Sequence, residues 1–196
     1  MRNIGKCVLA ALFVISFFSL QATAQTGKKA VMLIAQDGFQ DDELFRPKEV
    51  LEKNGIAVTV ASSSLTEAKG MNGGKFMPQV LLGDVQTGDF DAVVFIGGSG
   101  AAPSLDNPQA HKLPRDAAAQ GKIVGAICIA PRILANAGVL KGRRATVYPT
   151  EGGKLKDAGV NYTAMPVEID GEIITADGPD SAVRFGEEIV KALKDQ

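Results

Sequence analysis

Histidine occurs once in these 196 residues and cysteine twice, and the formal net charge is only −1. Each scarcity closes off a class of chemistry. One His and two Cys, of which Cys7 lies in the expected leader described below, cannot assemble a zinc ligand set, so no metal is expected. The single histidine, His111, falls in a stretch read as a helix over 108–120, where packing or solvent exposure accounts for it. A Cys-His hydrolase therefore lacks its usual base. Near-neutral charge with scattered Lys and Arg argues against a nucleic-acid surface, and the basic cluster Lys141, Arg143 and Arg144 reads as a solvated turn. Nothing demands a nucleotide or flavin. Gly97-Gly98-Ser99-Gly100 has the wrong spacing for a dinucleotide fingerprint, and Pro103 interrupts the helix that should follow it. No cofactor is expected.

Hydrophobic runs are short, and the longest one is terminal. A basic segment ending at Lys6 precedes the apolar stretch 8–20, and Ala22-Thr23-Ala24 before Gln25 has the small-x-small form of an export cleavage site. Residues 1–24 are expected to be a secretory signal peptide and 25–196 a single domain, periplasmic or secreted, without a stable membrane anchor after cleavage. An uncleaved anchor is the alternative, although the stretch is short for a span. Cys7 precedes the apolar region, so it is not a lipoprotein cysteine. Cleavage leaves Cys128 alone, unable to form an intramolecular disulfide, and either inert in the core or kept for reactivity. An apolar fraction of 45% fits one ordinary folded core.

Strands and helices alternate along the rest of the chain. Strands are expected over 30–35, 56–61, 91–96 and 123–127. Helices are expected up to Asn54-Gly55, from about Pro108 with Asn107 as N-cap, from Pro131 to Ala137, and over 179–193. Residues 70–82 read as a hairpin-like excursion, and 167–169 with 172–175 as a hairpin around Asp170-Gly171. Pro47 lies near the start of the first helix, in its first turn or at a kink. This order implies an α/β fold, a doubly wound, mostly parallel sheet sandwiched by helices, whose ligands bind outside the strands' carboxyl ends. Cys128 then sits on a sharp strand-to-helix turn, a nucleophile elbow, where free N–H groups favour a thiolate. The loop 36–43 and the glycines 97–100 follow other strand ends and would meet it, and a Gly-Gly turn exposes the N–H donors an oxyanion needs. The plainer alternatives are a buried cysteine serving as core filler and a tight turn serving as nothing else.

Four segments, Ala126-Ile127-Cys128-Ile129-Ala130-Pro131, Phe95-Ile96-Gly97-Gly98, Glu43 four residues before Pro47, and Ile174 to Pro179, make the chain resemble the ThiJ/PfpI family. That family belongs to the class I glutamine amidotransferase-like superfamily and includes the parkinsonism-associated deglycase. The resemblance runs from Val31 to Leu193 and implies a flavodoxin-like fold and a homodimer or higher homo-oligomer. It also implies that Cys128 is the nucleophile, that Glu43 is the protonated acid bonded to its sulfur, and that Gly98 and the N–H of Ile129 are the stabilising donors. Without the resemblance, Glu43 reads as a helix-start carboxylate, a role Asp41 or Asp42 would fill equally.

Two departures from the family narrow the function. Protease-like members place histidine directly after the cysteine, where this chain has Ile129. Glyoxalase-like members use a histidine before a proline, where this chain has Tyr148-Pro149, leaving Tyr148 as an auxiliary proton donor and a poor base at neutral pH. The expected function is stress protection or detoxification of small reactive carbonyls, glyoxalase- or deglycase-like, with a small-molecule substrate or oxidant as partner. The alternatives are a redox-sensing cysteine or chaperone without turnover and, disfavoured by Ile129, a cysteine protease or amidase.

Overall fold

The computed structural model describes residues 27–196, so the expected leader lies outside the described residues. The strands are β1 (Lys29–Leu33), β2 (Asp37–Phe39), β3 (Ala57–Ser62), β4 (Ala68–Gly70), β5 (Lys75–Phe76), β6 (Val80–Leu81), β7 (Ala92–Phe95), β8 (Ile123–Ile127), β9 (Arg144–Ala145), β10 (Asn161–Tyr162), β11 (Val167–Asp170) and β12 (Ile173–Ala176). The helices are α1 (Asp41–Lys53), α2 (Lys112–Ala119), α3 (Pro131–Asn136), α4 (Gly152–Asp157) and α5 (Ala182–Lys194). The main sheet runs β11-β12-β8-β7-β1-β3-β6, parallel throughout except for the antiparallel β11–β12 hairpin. This is the expected mostly parallel, flavodoxin-like α/β architecture.

The central strands are apolar on both faces because both are covered. Met32, Val94 and Ile127 point to one layer with Leu44 and Leu51 of α1 and Phe185 and Ile189 of α5. Val31, Val93 and Val124 point to the other layer with Ala117 of α2, Ile133 and Leu134 of α3 and Leu155 of α4. Gly125 permits the close approach of α5, since a Cβ there would lie 3.0 Å from Phe185 Cζ and 3.2 Å from Ile189 Cδ1.

Several boundaries differ from the sequence reading. Pro47 is not in the first turn. It lies inside α1, buried, with Gly186 of α5 against it. Having no N–H, it leaves the Glu43 carbonyl without its usual helical donor. Asn107 does not cap a helix from Pro108. Its Oδ1 accepts from Gln109 N in a local turn, and α2 begins only at Lys112. His111 precedes that helix, buried, with Nε2 2.8 Å from Leu105 O. The basic cluster does more than face solvent, because Arg143 and Arg144 bind Asp170 and Glu168 of the β11–β12 hairpin. The short elements β2, β6, β9, β10 and α4 were not expected.

Candidate active site

Cys128 follows β8 with φ +62°, a left-handed conformation unusual for a residue with a Cβ and costly by about 1–3 kcal/mol. Both of its backbone groups are held. Its N–H donates to Ala176 O at 3.0 Å and its carbonyl accepts from Tyr148 N at 2.8 Å. With α3 starting at Pro131, the chain must reverse within three residues, which is the elbow expected from the sequence. The side chain is nearly buried, 8% exposed.

Glu43 reaches the sulfur from α1. Gln40 caps that helix, its Oε1 accepting from Glu43 N at 2.9 Å, while Gln40 N donates to Gly97 O at 3.1 Å, so the helix start is tied to the end of β7. Glu43 is fully buried. Its Oε2 accepts from Gly97 N at 3.1 Å, and the carboxyl hydrogen-bonds the Cys128 side chain. No other protein group satisfies Oε1. The three adjacent acids separate by role. Asp41 accepts from Asn72 N and Gly74 N and so pins the β4–β5 hairpin, and Asp42 pairs with Arg46 on the surface. Only Glu43 enters the site.

The backbone N–H groups of Gly98 and Ile129 face the Cys128 sulfur and favour its charged form. Gly98 has φ +102°, and a Cβ there would lie 2.8 Å from the Phe39 carbonyl carbon, so only glycine admits the β2 segment so close. Tyr148 serves the site through its backbone. Its ring is 42% exposed and rests near Gly178, a Cβ of which would sit 3.7 Å from Tyr148 Cδ2. His111 is committed to Leu105 O. Among the described residues no group of His, Cys, Asp and Glu is arranged to hold a metal ion.

Burial dominates the electrostatics. It raises the Glu43 carboxyl from 4.5 to about 7, against the lowering effects of its bonds to Cys128 and Gly97. Burial first, and then the charge of an ionised Glu43, push the Cys128 thiol up to about 12, while Gly98 and Ile129 pull it down. The sequence reading of a thiolate favoured by a helix terminus omitted this burial. One negative charge is shared by the pair. On sulfur it meets two N–H donors and the Glu43 hydroxyl; on Glu43 it meets Gly97 N–H and the thiol. The donor set is richer at sulfur, while burial and the charge of an ionised Glu43 oppose a thiolate there.

The sequence profile of the DJ-1/PfpI family matches residues 28–192. The chain belongs to that family. An uncharacterised protein of Methanocaldococcus jannaschii is 41% identical over 85% of this chain and 82% of its own length. A deglycase of Pyrococcus abyssi is 33% identical over 84% of this chain and 99% of its own. A glutathione-independent glyoxalase of Caenorhabditis elegans is 30% identical over 85% and 89%. Among solved structures, a ThiJ/PfpI domain protein from Brachyspira murdochii superposes with a TM-score of 0.84 at 29% identity, covering 86% of this chain and 97% of that one.

Within this DJ-1/PfpI domain, sequence reasoning missed two supports of the site. Gly97, beside the expected donor Gly98, holds Glu43. Asp41 anchors a hairpin whose Met71 sulfur accepts from Ser99 N, next to Gly98. The cluster Asn72-Gly73-Gly74 beneath a helix-start acid was the available signal. Replacing Asp41 by Ala is expected to loosen this hairpin by about 2–3 kcal/mol, the worth of charge-assisted bonds to two part-buried amides. Limited trypsinolysis at Lys69 and Lys75 should quicken strongly while the thermal midpoint of the main sheet falls by only a few degrees.

Proposed function

We propose that this protein detoxifies small 2-oxoaldehydes, converting them to 2-hydroxy acids without a cofactor. The observation that carries the reading is the buried pair of Cys128 and Glu43, with Gly97 orienting the acid and Gly98 and Ile129 facing the sulfur. The relatives named deglycase and glyoxalase support it.

The chemistry follows from the pair. The thiolate attacks the aldehyde carbon, a C–S bond forms, and the carbonyl electron pair moves to oxygen, which takes the Glu43 proton. The Glu43 carboxylate then removes the hydrogen left on that carbon and returns it to the neighbouring one through an enediol. The aldehyde carbon is oxidised to a thioester and the ketone carbon is reduced to an alcohol, so no external oxidant or reductant is consumed. Water cleaves the thioester, releasing the 2-hydroxy acid and regenerating the thiol. An imidazole is dispensable because a thiolate is already a strong nucleophile and Glu43, near pH 7, exchanges protons in both directions.

Methylglyoxal turnover to lactate is the test. Cys128→Ser is expected to lose at least about a thousandfold in kcat/KM, whereas equal turnover by both proteins would sink the proposal. Omitting amines from the assay separates action on the free aldehyde from deglycase action on its amine adducts. The proposal includes export. Removal of residues 1–24, read as an intact mass of the protein recovered from outside the cytoplasm, is the expected result.

A further inference from the structure

A cavity opens outside the carboxyl ends of β1 and β7, and neither Cys128 nor Glu43 lines it. Its volume is about 650 Å³, a size suited to a small molecule. The floor is made by Leu33 at the end of β1 and by Phe95 and Ile96 at the end of β7, with Ile133 of α3 behind them. β1 and β7 flank the point where the strand order reverses, because the chain leaves β1 for β3 on one side and later returns to β7 on the other. In open α/β sheets ligands bind outside such a reversal, and there the loops that follow these same two strands already supply Glu43 and Gly97 to the Cys128 site. Cys128 packs with the α1 and α5 layer, to which the cavity's Ile34 and Ile96 also belong, whereas Leu33, Phe95 and Ile133 belong to the α2 and α3 layer.

The lining specifies the chemistry of an occupant. Leu33, Phe95, Ile96 and Ile133 present apolar side chains almost fully withdrawn from solvent. Hydroxyl and amide groups, those of Ser63, Asn107 and Gln109, occur elsewhere in the lining. Its charged residues are Asp84, Lys112 and Asp116, and Lys112 is paired with Asp116. No uncommitted cation remains to meet a carboxylate or phosphate, and Asp84 repels one. We propose that this cavity is a binding site for an uncharged, mostly apolar molecule of one or two rings bearing hydroxyl or carbonyl groups.

The chain contains no tryptophan, so an introduced one is a unique fluorescence donor. The full chain carrying Gln109→Trp, beside the cavity, and a second carrying Val183→Trp, on the exposed face of α5, are titrated with the neutral two-ring probe N-phenyl-1-naphthylamine. Saturable binding in the micromolar range is expected, with at least twofold stronger quenching from position 109. Ala110→Phe, which fills the cavity, should weaken binding tenfold or more with an unchanged circular dichroism spectrum. The anionic analogue 8-anilinonaphthalene-1-sulfonate should bind the unmutated chain at least tenfold less tightly, a comparison that decides the matter even if Ala110→Phe does not fold. Blocking Cys128 with iodoacetamide should leave the affinity for the neutral probe unchanged. Absence of saturable binding, equal quenching from both positions, preference for the sulfonate, or loss of binding on blocking Cys128 would each overturn the proposal.

Discussion

Replacing Glu43 by Gln should remove both the pH dependence of stability between pH 4.5 and 7 and most of the reactivity of Cys128 at neutral pH. Folded, the buried carboxyl keeps its proton to about pH 7; unfolded, it releases it near 4.5. Between those values the folded chain holds one more proton than the unfolded one, so stability is greatest below pH 4.5, falls as pH rises, and levels off above about 7. The difference amounts to roughly 3 kcal/mol. The sign does not depend on which member of the pair gives up the first proton, because both lie in the same buried pocket and only their sum enters the linkage. Urea unfolding at pH 4.5 and pH 7.5 checks it, with the Gln variant expected to show this slope abolished.

Iodoacetamide reports the site of the charge. If the charge left after the first ionisation sits on sulfur, alkylation of Cys128 in the unmutated protein rises with an apparent pKa near 7, below the free-thiol value of about 8.5. In Glu43→Gln the sulfur loses its carboxyl hydroxyl donor while its burial remains, and the transition should move above 8.5. Alkylation at pH 7 would then slow by ten- to a hundredfold, and methylglyoxal turnover by about 10²–10⁴-fold, since the acid–base group is gone. A transition near 12 in the unmutated protein would show instead that the charge rests on Glu43 and that burial, not the donor set, governs the thiol.

Gly97→Ala should be nearly as damaging without altering a titratable group. A Cβ at Gly97 would lie 2.6 Å from Cys128 Cβ, 2.7 Å from Glu43 Oε2 and 2.8 Å from Ile127 O. None of these can yield cheaply. Cys128 and Ile127 are backbone-fixed at the strand end, and Glu43 is enclosed and bonded to Gly97 itself. Overpacking of this kind costs about 1–3 kcal/mol. Displacing the acid or the sulfur by even 1 Å costs on the order of a hundredfold in rate. The expected outcome is a folded protein with a lowered thermal midpoint and at least a hundredfold loss in kcat. A variant with unchanged kcat would mean that the acid and the sulfur tolerate movement the geometry forbids.

The long central strands and α5 were legible because parallel strands covered on both faces read as continuous apolar runs, and α5 carries a full amphipathic stripe with Phe185, Ile189 and Leu193 buried. The short elements β2, β6, β9 and β10 were not, since so few residues carry no period to detect. Asn107 misled for a related reason. The same side chain that caps a helix also closes a local turn, and only the path of residues 108–111 distinguishes the two.

The candidate site divides along the same line. The order of strands and helices, the elbow at Cys128, the glycine turn at Gly97-Gly98 and the scarcity of imidazole are all written in the sequence, because they depend on neighbouring residues alone. Which of Asp41, Asp42 and Glu43 enters the site was legible in the sequence only through the family resemblance; the residues by themselves left it open, and the tertiary structure decides it. Successive helix residues step about 100° around the axis, so the three acids face different neighbours, and the contact of Pro47 with Gly186 helps fix how α1 lies. That orientation sends Asp41 to the hairpin, Asp42 to Arg46 and Glu43 beneath Gly97. Burial follows from the same packing, and with it the proton affinities of Glu43 and Cys128, which groups from α1, the end of β7 and the end of β8 determine together.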